Sequence, residues 1–223
     1  MEYKSGDRDP AADADTITNT EALQALVVEA ALCGEGVRAL QGALEAQLAD
    51  AALCRPLWSA ASVAPELLVQ MMVAHSVDAG VQTRCCRHLS LAARRSDADN
   101  VAIAAVGGIE AVVAALTAHP EAEGVQQQGC RALGKMARNH SANHAIAAAG
   151  GIEAIVVALT THPRAEGVQD KGCNALDHLV NDPGHQAAIK ASGAIVLAQG
   201  TLERFPQGQA AVNARSLLGK LHD

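Results

Sequence analysis

The sequence predicts an all-α solenoid of stacked helical repeats. Three observations carry that expectation: a ten-residue segment that returns at a fixed interval, an aromatic content of 1% in 223 residues, and a 49% apolar content made mostly of small aliphatic residues. Gly107-Gly108-Ile109-Glu110-Ala111-Val112-Val113-Ala114-Ala115-Leu116 recurs almost unchanged as Gly150-Gly151-Ile152-Glu153-Ala154-Ile155-Val156-Val157-Ala158-Leu159, 43 residues later. A period of this size is the mark of a repeat architecture, in which each unit buries its apolar face only by stacking on the next. With so few aromatic residues, an ordinary globular core or a sheet is not expected.

The acidic surplus has a location. Of 24 acids and 17 bases in the chain, residues 1–50 hold Glu2, Asp7, Asp9, Asp13, Asp15, Glu21, Glu29, Glu35, Glu45 and Asp50 against only Lys4, Arg8 and Arg38, so the remainder is neutral. Residues 1–19 combine Asp, Ala, Gly, Pro and Ser, bury little apolar surface, and read as a solvated arm. Thr18 to Glu21 fits a capping box, in which hydroxyl and carboxylate bond the first free backbone donors, so the first helix is placed there. From residue 20 the chain divides into approximate repeats 20–51, 52–96, 97–139, 140–182 and 183–223, about four and a half units because the first lacks its opening helix. Gly36-Val37, Gly80-Val81, Gly124-Val125 and Gly167-Val168 mark one position in four of them, and Cys86, Cys130 and Cys173 mark another.

Each full repeat reads as three helices. The first is short, such as Asn143 to Ala149, and is stopped by glycine, which suits a left-handed helix end. The second, such as Ile109 to Thr117, is apolar on most sides, as a helix between stacked neighbours must be, and His-Pro ends it. The third, such as Val125 to Arg138, puts Val125, Gly129, Leu133 and Met136 on one face with Cys130 and Ala132 on the flanks, and keeps a polar opposite face. In the last repeat the corner at Ser192-Gly193 reads as loosened, and the first and last units read as caps.

The glycine-glycine-isoleucine corner and the Gly124-Val125-Gln126-Gln127-Gln128-Gly129-Cys130-Arg131-Ala132-Leu133 segment resemble the armadillo repeat family, whose unit has three helices in about 42 residues. The resemblance covers nearly everything after residue 20. It implies a right-handed superhelix whose third helices line a concave groove for extended peptides or partner helices. The chain departs from armadillo receptors of nuclear localisation peptides, which carry a ladder of tryptophan and asparagine on those helices. Leu91, Lys135, His178 and Lys220 stand where the asparagines would fall, and Arg87, Arg131, Asn174 and Ser216 where the tryptophans would. Nuclear-import cargo is therefore not expected.

What lines the expected groove is a basic strip that fades toward the C-terminus. Arg84, Arg87 and Arg94 are followed by Gln127, Arg131, Lys135 and Arg138, then by Lys171, Asn174 and His178. Clustered guanidinium groups on a concave wall favour carboxylates, so the expected partner is another protein presenting an acidic or extended segment. A role as adaptor follows. The alternative is a permanent structural subunit of a cytoskeletal or organellar assembly, docked through its ends and convex face, with end-to-end self-association as a further possibility for an open array.

Other chemistry finds little support. The six cysteines form no Cys-x-x-Cys pair, and Cys86, Cys130 and Cys173 share one apolar position, so they are expected as buried free thiols. His75, His119 and His162 recur at the end of the second helix, about 10 Å apart across repeats, too far to share a zinc. A role in the turn or at the C-terminal end of the helix, where a histidine can bond the last carbonyls, is expected instead. No spacing suggests an activated nucleophile or an acid and base pair, so no enzyme, metal or cofactor is expected. Nucleic acid is disfavoured by the net charge of −7 and by Tyr3, Trp58 and Phe205 being the only aromatic residues. No apolar run approaches the roughly 18 residues of a membrane span, and the acidic start is unlike a signal or transit peptide. The default compartment is the cytoplasm, with a processed organellar chain also compatible.

Overall fold

Eleven α-helices and no strand make up the described residues, 63–222, in a computed structural model. The acidic arm, its capping box, the repeat at 20–51, Cys33 and Cys54 lie outside them. In chain order the helices are α1 Pro65–Ala74, α2 Ala79–Ala92, α3 Asp97–Ala105, α4 Gly108–Ala118, α5 Glu123–Met136 and α6 His140–Ala148. They continue as α7 Gly151–Thr161, α8 Glu166–Leu179, α9 Pro183–Ala191, α10 Ala194–Arg204 and α11 Gly208–His222. First helices of the repeats are thus α3, α6 and α9, second helices α1, α4, α7 and α10, and third helices α2, α5, α8 and α11. No single helix among the described residues is long and apolar enough to cross a membrane.

The corner between first and second helices comes from two adjacent glycines with different tasks. Gly107 and Gly150 adopt φ of +77° and +79°, a left-handed conformation in which a side chain is strained. At Gly108 a Cβ would sit 2.6 Å from the Ile103 Cγ2 and 2.8 Å from the Ile103 carbonyl oxygen, so the backbone itself closes the turn. The helices joined there meet at 68° in both repeats. The corner expected to be loosened at Ser192-Gly193 is instead formed in the same way. Gly193 has φ +83°, Ser192 ends α9, and the fully buried Ala194 replaces the second glycine rather than the first.

Helix limits differ from the periodic reading where a cap decides them. α6 starts at His140, ahead of Asn143, because the Asn139 side chain accepts the backbone N–H of Ser141 at 3.0 Å. Asp78, Ser96 and Asp182 cap α2, α3 and α9 in the same manner. α5 starts at Glu123 and ends at Met136, where the N–H of Ala137 still reaches the Leu133 carbonyl but Arg138 has left the helix.

Third helices pack side by side in succession, α2 on α5, α5 on α8 and α8 on α11, and each second helix packs under its own third helix. Val125, Gly129, Cys130, Ala132, Leu133 and Met136 are all buried on α5, with Val168, Gly172, Cys173, Ala175, Leu176 and Leu179 on α8. Small residues set how close the layers come. A Cβ on Gly129 would lie 2.6 Å from the Leu116 Cδ2, and one on Gly172 2.6 Å from the Leu159 Cδ2, so in each repeat a leucine of the second helix fills the place of a missing side chain. Burial pushes the Cys86 and Cys130 thiols up to about 12 and that of Cys173 to about 11, which keeps all three protonated and inert. Cys85 is equally buried, and Cys86, Cys130 and Cys173 are free thiols. At the C-terminal end Leu217 and Leu221 are buried within the described unit.

Two glycines separate packing from propensity. Gly129→Ala is expected to destabilise the protein by about 1–3 kcal/mol through overpacking against Leu116. In Gly219→Ala the new methyl meets nothing within 4 Å and stabilises α11 by about 0.5–1 kcal/mol. Chemical denaturation of both variants checks the pair, and a neutral or stabilising Gly129→Ala contradicts the packing.

A candidate protein-binding face on the third helices

Position on the third helix is fixed by what holds its start. Gln82, Gln126 and Gln169 sit one turn into α2, α5 and α8, each only 1% exposed. The Gln126 Nε2 donates to the carbonyl oxygens of Leu116 and His119, both at 2.8 Å. Gln82 does the same to Met72 and His75, and Gln169 to Leu159 and His162. Those acceptors are last carbonyls of the second helix, which would otherwise be buried without a donor. α2, α5 and α8 are therefore each tied in rotation to the second helix before them. Their polar residues must then point away from the core.

The recurrent histidines act at the turn and not on the last carbonyls of their own helix. His75, His119 and His162 stand at the ends of second helices, and the rings of His119 and His162 reach backward to the preceding repeat. The His119 Nε2 lies 2.7 Å from the Ser76 carbonyl oxygen and the His162 Nε2 2.7 Å from that of Pro120. The helix's own last carbonyls are already taken by glutamine. In the last repeat Phe205 replaces the histidine and Arg204 supplies the tie, donating to the Pro163 carbonyl at 3.2 Å.

The ten residues of the basic strip fall along the third helices or just past their ends. Arg84 and Arg87 are exposed on α2, with Arg94 exposed just after it. Gln127, Arg131 and Lys135 are half-buried on α5 and Arg138 is exposed just beyond it. Lys171, Asn174 and His178 are half-buried on α8. Five of the cations converge. The Lys135 ammonium is held below the usual lysine range first by partial burial, then by the fields of Arg138, Arg94, Lys171 and Arg131. Among the described residues none of Arg87, Arg94, Arg131, Lys135 and Arg138 takes part in an ion pair.

Sequence reasoning missed two carboxylates at the C-terminal end of the strip. Asp170 pairs with Lys171 at 2.5 Å and accepts the Asn213 amide at 2.6 Å. Asp177, nearly buried on α8, accepts the Ser216 hydroxyl at 2.7 Å and pairs with Lys220 at 3.0 Å. One repeat earlier the same positions are Gln127 and Gly134, so α5 presents its cations without these neutralising neighbours. The period itself was the available signal, since the two acids appear only in one copy.

Comparison with known proteins bears on the fold. No protein-family model and no curated protein sequence matches the chain. Among solved structures, an engineered protein is similar at a TM-score of 0.65 with 26% identity over 93% of this chain and 92% of its own. A designed armadillo repeat protein is similar at a TM-score of 0.62 with 17% identity over 90% of this chain and 92% of its own. The fold is armadillo-like. In an armadillo-like solenoid the third helices of successive repeats form one continuous layer, and here that layer carries the converging cations.

His178 offers a test of their proximity. Partial burial lowers its pKa from the ordinary 6.5. Asp177 opposes that shift, while Lys220 on α11 and Lys135 and Arg138 on or beside α5 reinforce it. With a lowered folded pKa, the unfolded chain takes up the proton first, so the stability held by neutral His178 is full above pH 6.5 and is lost as pH falls through the folded value. His178→Gln is expected to lessen the fall in melting temperature between pH 7 and pH 5, and an NMR titration should place the His178 pKa below 6.5. A value at or above 6.5 contradicts this electrostatic picture.

Proposed function

We propose that the chain is a non-catalytic protein-binding scaffold that holds an acidic, extended segment of a partner along the concave groove of its third helices. The observation that carries this reading is the gathering of Arg94, Arg131, Arg138 and Lys171 around Lys135, whose pKa is lowered first by partial burial and further by the fields of these four cations. Like charges brought this close cost free energy in the isolated protein, and a run of carboxylates would relieve that cost while forming charge-assisted hydrogen bonds. Arginine suits the task because its planar fork meets a carboxylate with two parallel N–H donors. The fold supports the coarser part of the reading, since a stacked repeat array supplies an extended surface and no enclosed chamber.

The segment is expected to bind in a definite direction. Its acidic part lies over α2 and α5, and its less charged part lies over α8 and α11, where Asp170 and Asp177 already satisfy Lys171 and Lys220. The adaptor role is favoured over a fixed structural subunit by the fate of the C-terminal helix. Of Leu217, Leu218 and Leu221, the apolar residues at that end of the array, Leu217 and Leu221 are buried inside the unit and Leu218 is half-buried.

Fluorescence anisotropy with a labelled peptide of alternating Glu and Ser tests the reading. Arg131→Glu is expected to weaken binding about tenfold or more, with the melting temperature unchanged because the side chain makes no ion pair to lose. Arg87→Glu should act in the same direction, and raising the salt concentration should weaken the wild type more than either variant. Equal affinity in wild type and Arg131→Glu would overturn the proposal.

A further inference from the structure

On the first helices, away from the basic strip, three side chains that share no repeat position come together. His144 lies on α6, Asp182 caps α9, and His185 lies one turn into α9. Their candidate ligand atoms all fall within 4.8 Å of one another. The carboxylate is divided between two tasks. Asp182 Oδ1 accepts the Gly184 N–H at 2.9 Å, which anchors it in the helix cap. The other oxygen, Oδ2, faces both rings, 3.5 Å from the His144 Nε2 and 3.9 Å from the His185 Nδ1.

The separations from Asp182 Oδ2 suit a shared small cation better than direct bonds, and the two ring nitrogens, within 4.8 Å of each other, draw together by rotation of the exposed His144 ring. Zinc takes imidazole nitrogen and carboxylate oxygen at about 2.0–2.2 Å, so tetrahedral ligand atoms stand roughly 3.4 Å from one another. The two measured distances to Oδ2 are near that value, and the rings meet edge to face with centroids 5.2 Å apart. A second observation points to a ligand independently. The His185 side chain is 9% exposed, and its Nδ1, sealed from solvent, makes no hydrogen bond. Buried polar nitrogens without a partner are rare in folded proteins. His144, in contrast, is 76% exposed, which leaves its ring free to close the last fraction of the distance and leaves a fourth coordination position open to water.

We propose that His144, Asp182 and His185 bind one zinc ion that ties the first helices of two successive repeats. The tie falls where the array needs one, because α3 packs along α6 whereas α6 and α9 touch far less. Two imidazoles and one carboxylate select a borderline transition ion over magnesium or calcium, which prefer oxygen ligands throughout. The site locks the geometry of the last two repeats without using any residue of the basic strip.

The test uses the full chain, stripped with a chelator and kept reduced, together with His144→Ala and Asp182→Asn. Both variants should fold as the wild type does, since His144 is exposed and asparagine still accepts the cap hydrogen bond. Zinc added to the wild type should bind with micromolar or tighter affinity and raise the melting temperature, and magnesium should do neither. Each variant should lose that rise and bind zinc at least about tenfold more weakly, the size of effect expected when a ligand or its support is removed. Cobalt in place of zinc should give the d–d absorption of a four-coordinate nitrogen and oxygen site. Equal zinc binding in wild type and His144→Ala, or a cobalt spectrum dominated by thiolate charge transfer, would overturn the proposal.

Discussion

The rest of the fold depends on the hydrogen bonds at the ends of the second helices α1, α4 and α7. These helices stop inside the stack, where the carbonyls of Met72, Leu116 and Leu159 are buried, and a buried acceptor without a donor is costly. Gln82, Gln126 and Gln169 meet that need from the first turn of the following helix. Because one amide donates to two carbonyls, it fixes both the turn between the helices and the rotation of the third helix about its axis. Leucine seated on glycine then sets the spacing. The direction in which Arg131 or Lys135 points is a consequence of these two contacts.

Much of this was legible in the sequence, because stacking forces a structural position to recur. The 43-residue period, the three helices per repeat, the glycine corner and the buried cysteines all follow from residues that return in register. What escaped is instructive. Glutamine reads as a surface residue in a helical pattern, so the 1% exposure of Gln126 runs against its composition and only its recurrence as Gln82 and Gln169 could have marked it. Histidine was placed correctly at the turn, but its acceptor is a carbonyl of the preceding repeat, because glutamine already bonds the last carbonyls of its own helix. The last corner was read one residue out of register, at Ser192, because Ala194 hides the second glycine.

Function in such an array resides in departures from the repeat. The corner glycines and core cysteines return from copy to copy, while the face that meets a partner can vary. Asp170 and Asp177 replace Gln127 and Gly134, and they pair with Lys171 and Lys220, whereas Arg131 and Lys135 of α5 take part in no ion pair among the described residues. His144, Asp182 and His185 are another departure, and they escaped periodic reading because they are out of register with one another. Electrostatics thus gives an otherwise regular surface its direction, from a basic end to a neutral one.

Backbone amide chemical shifts, followed by NMR while an acidic peptide is titrated into the protein, address the central claim most directly. The account predicts shifts concentrated on α2 and α5, largest around Arg94, Arg131, Lys135 and Arg138, and reduced by salt. Shifts concentrated on the first helices, or none at millimolar peptide, would contradict it.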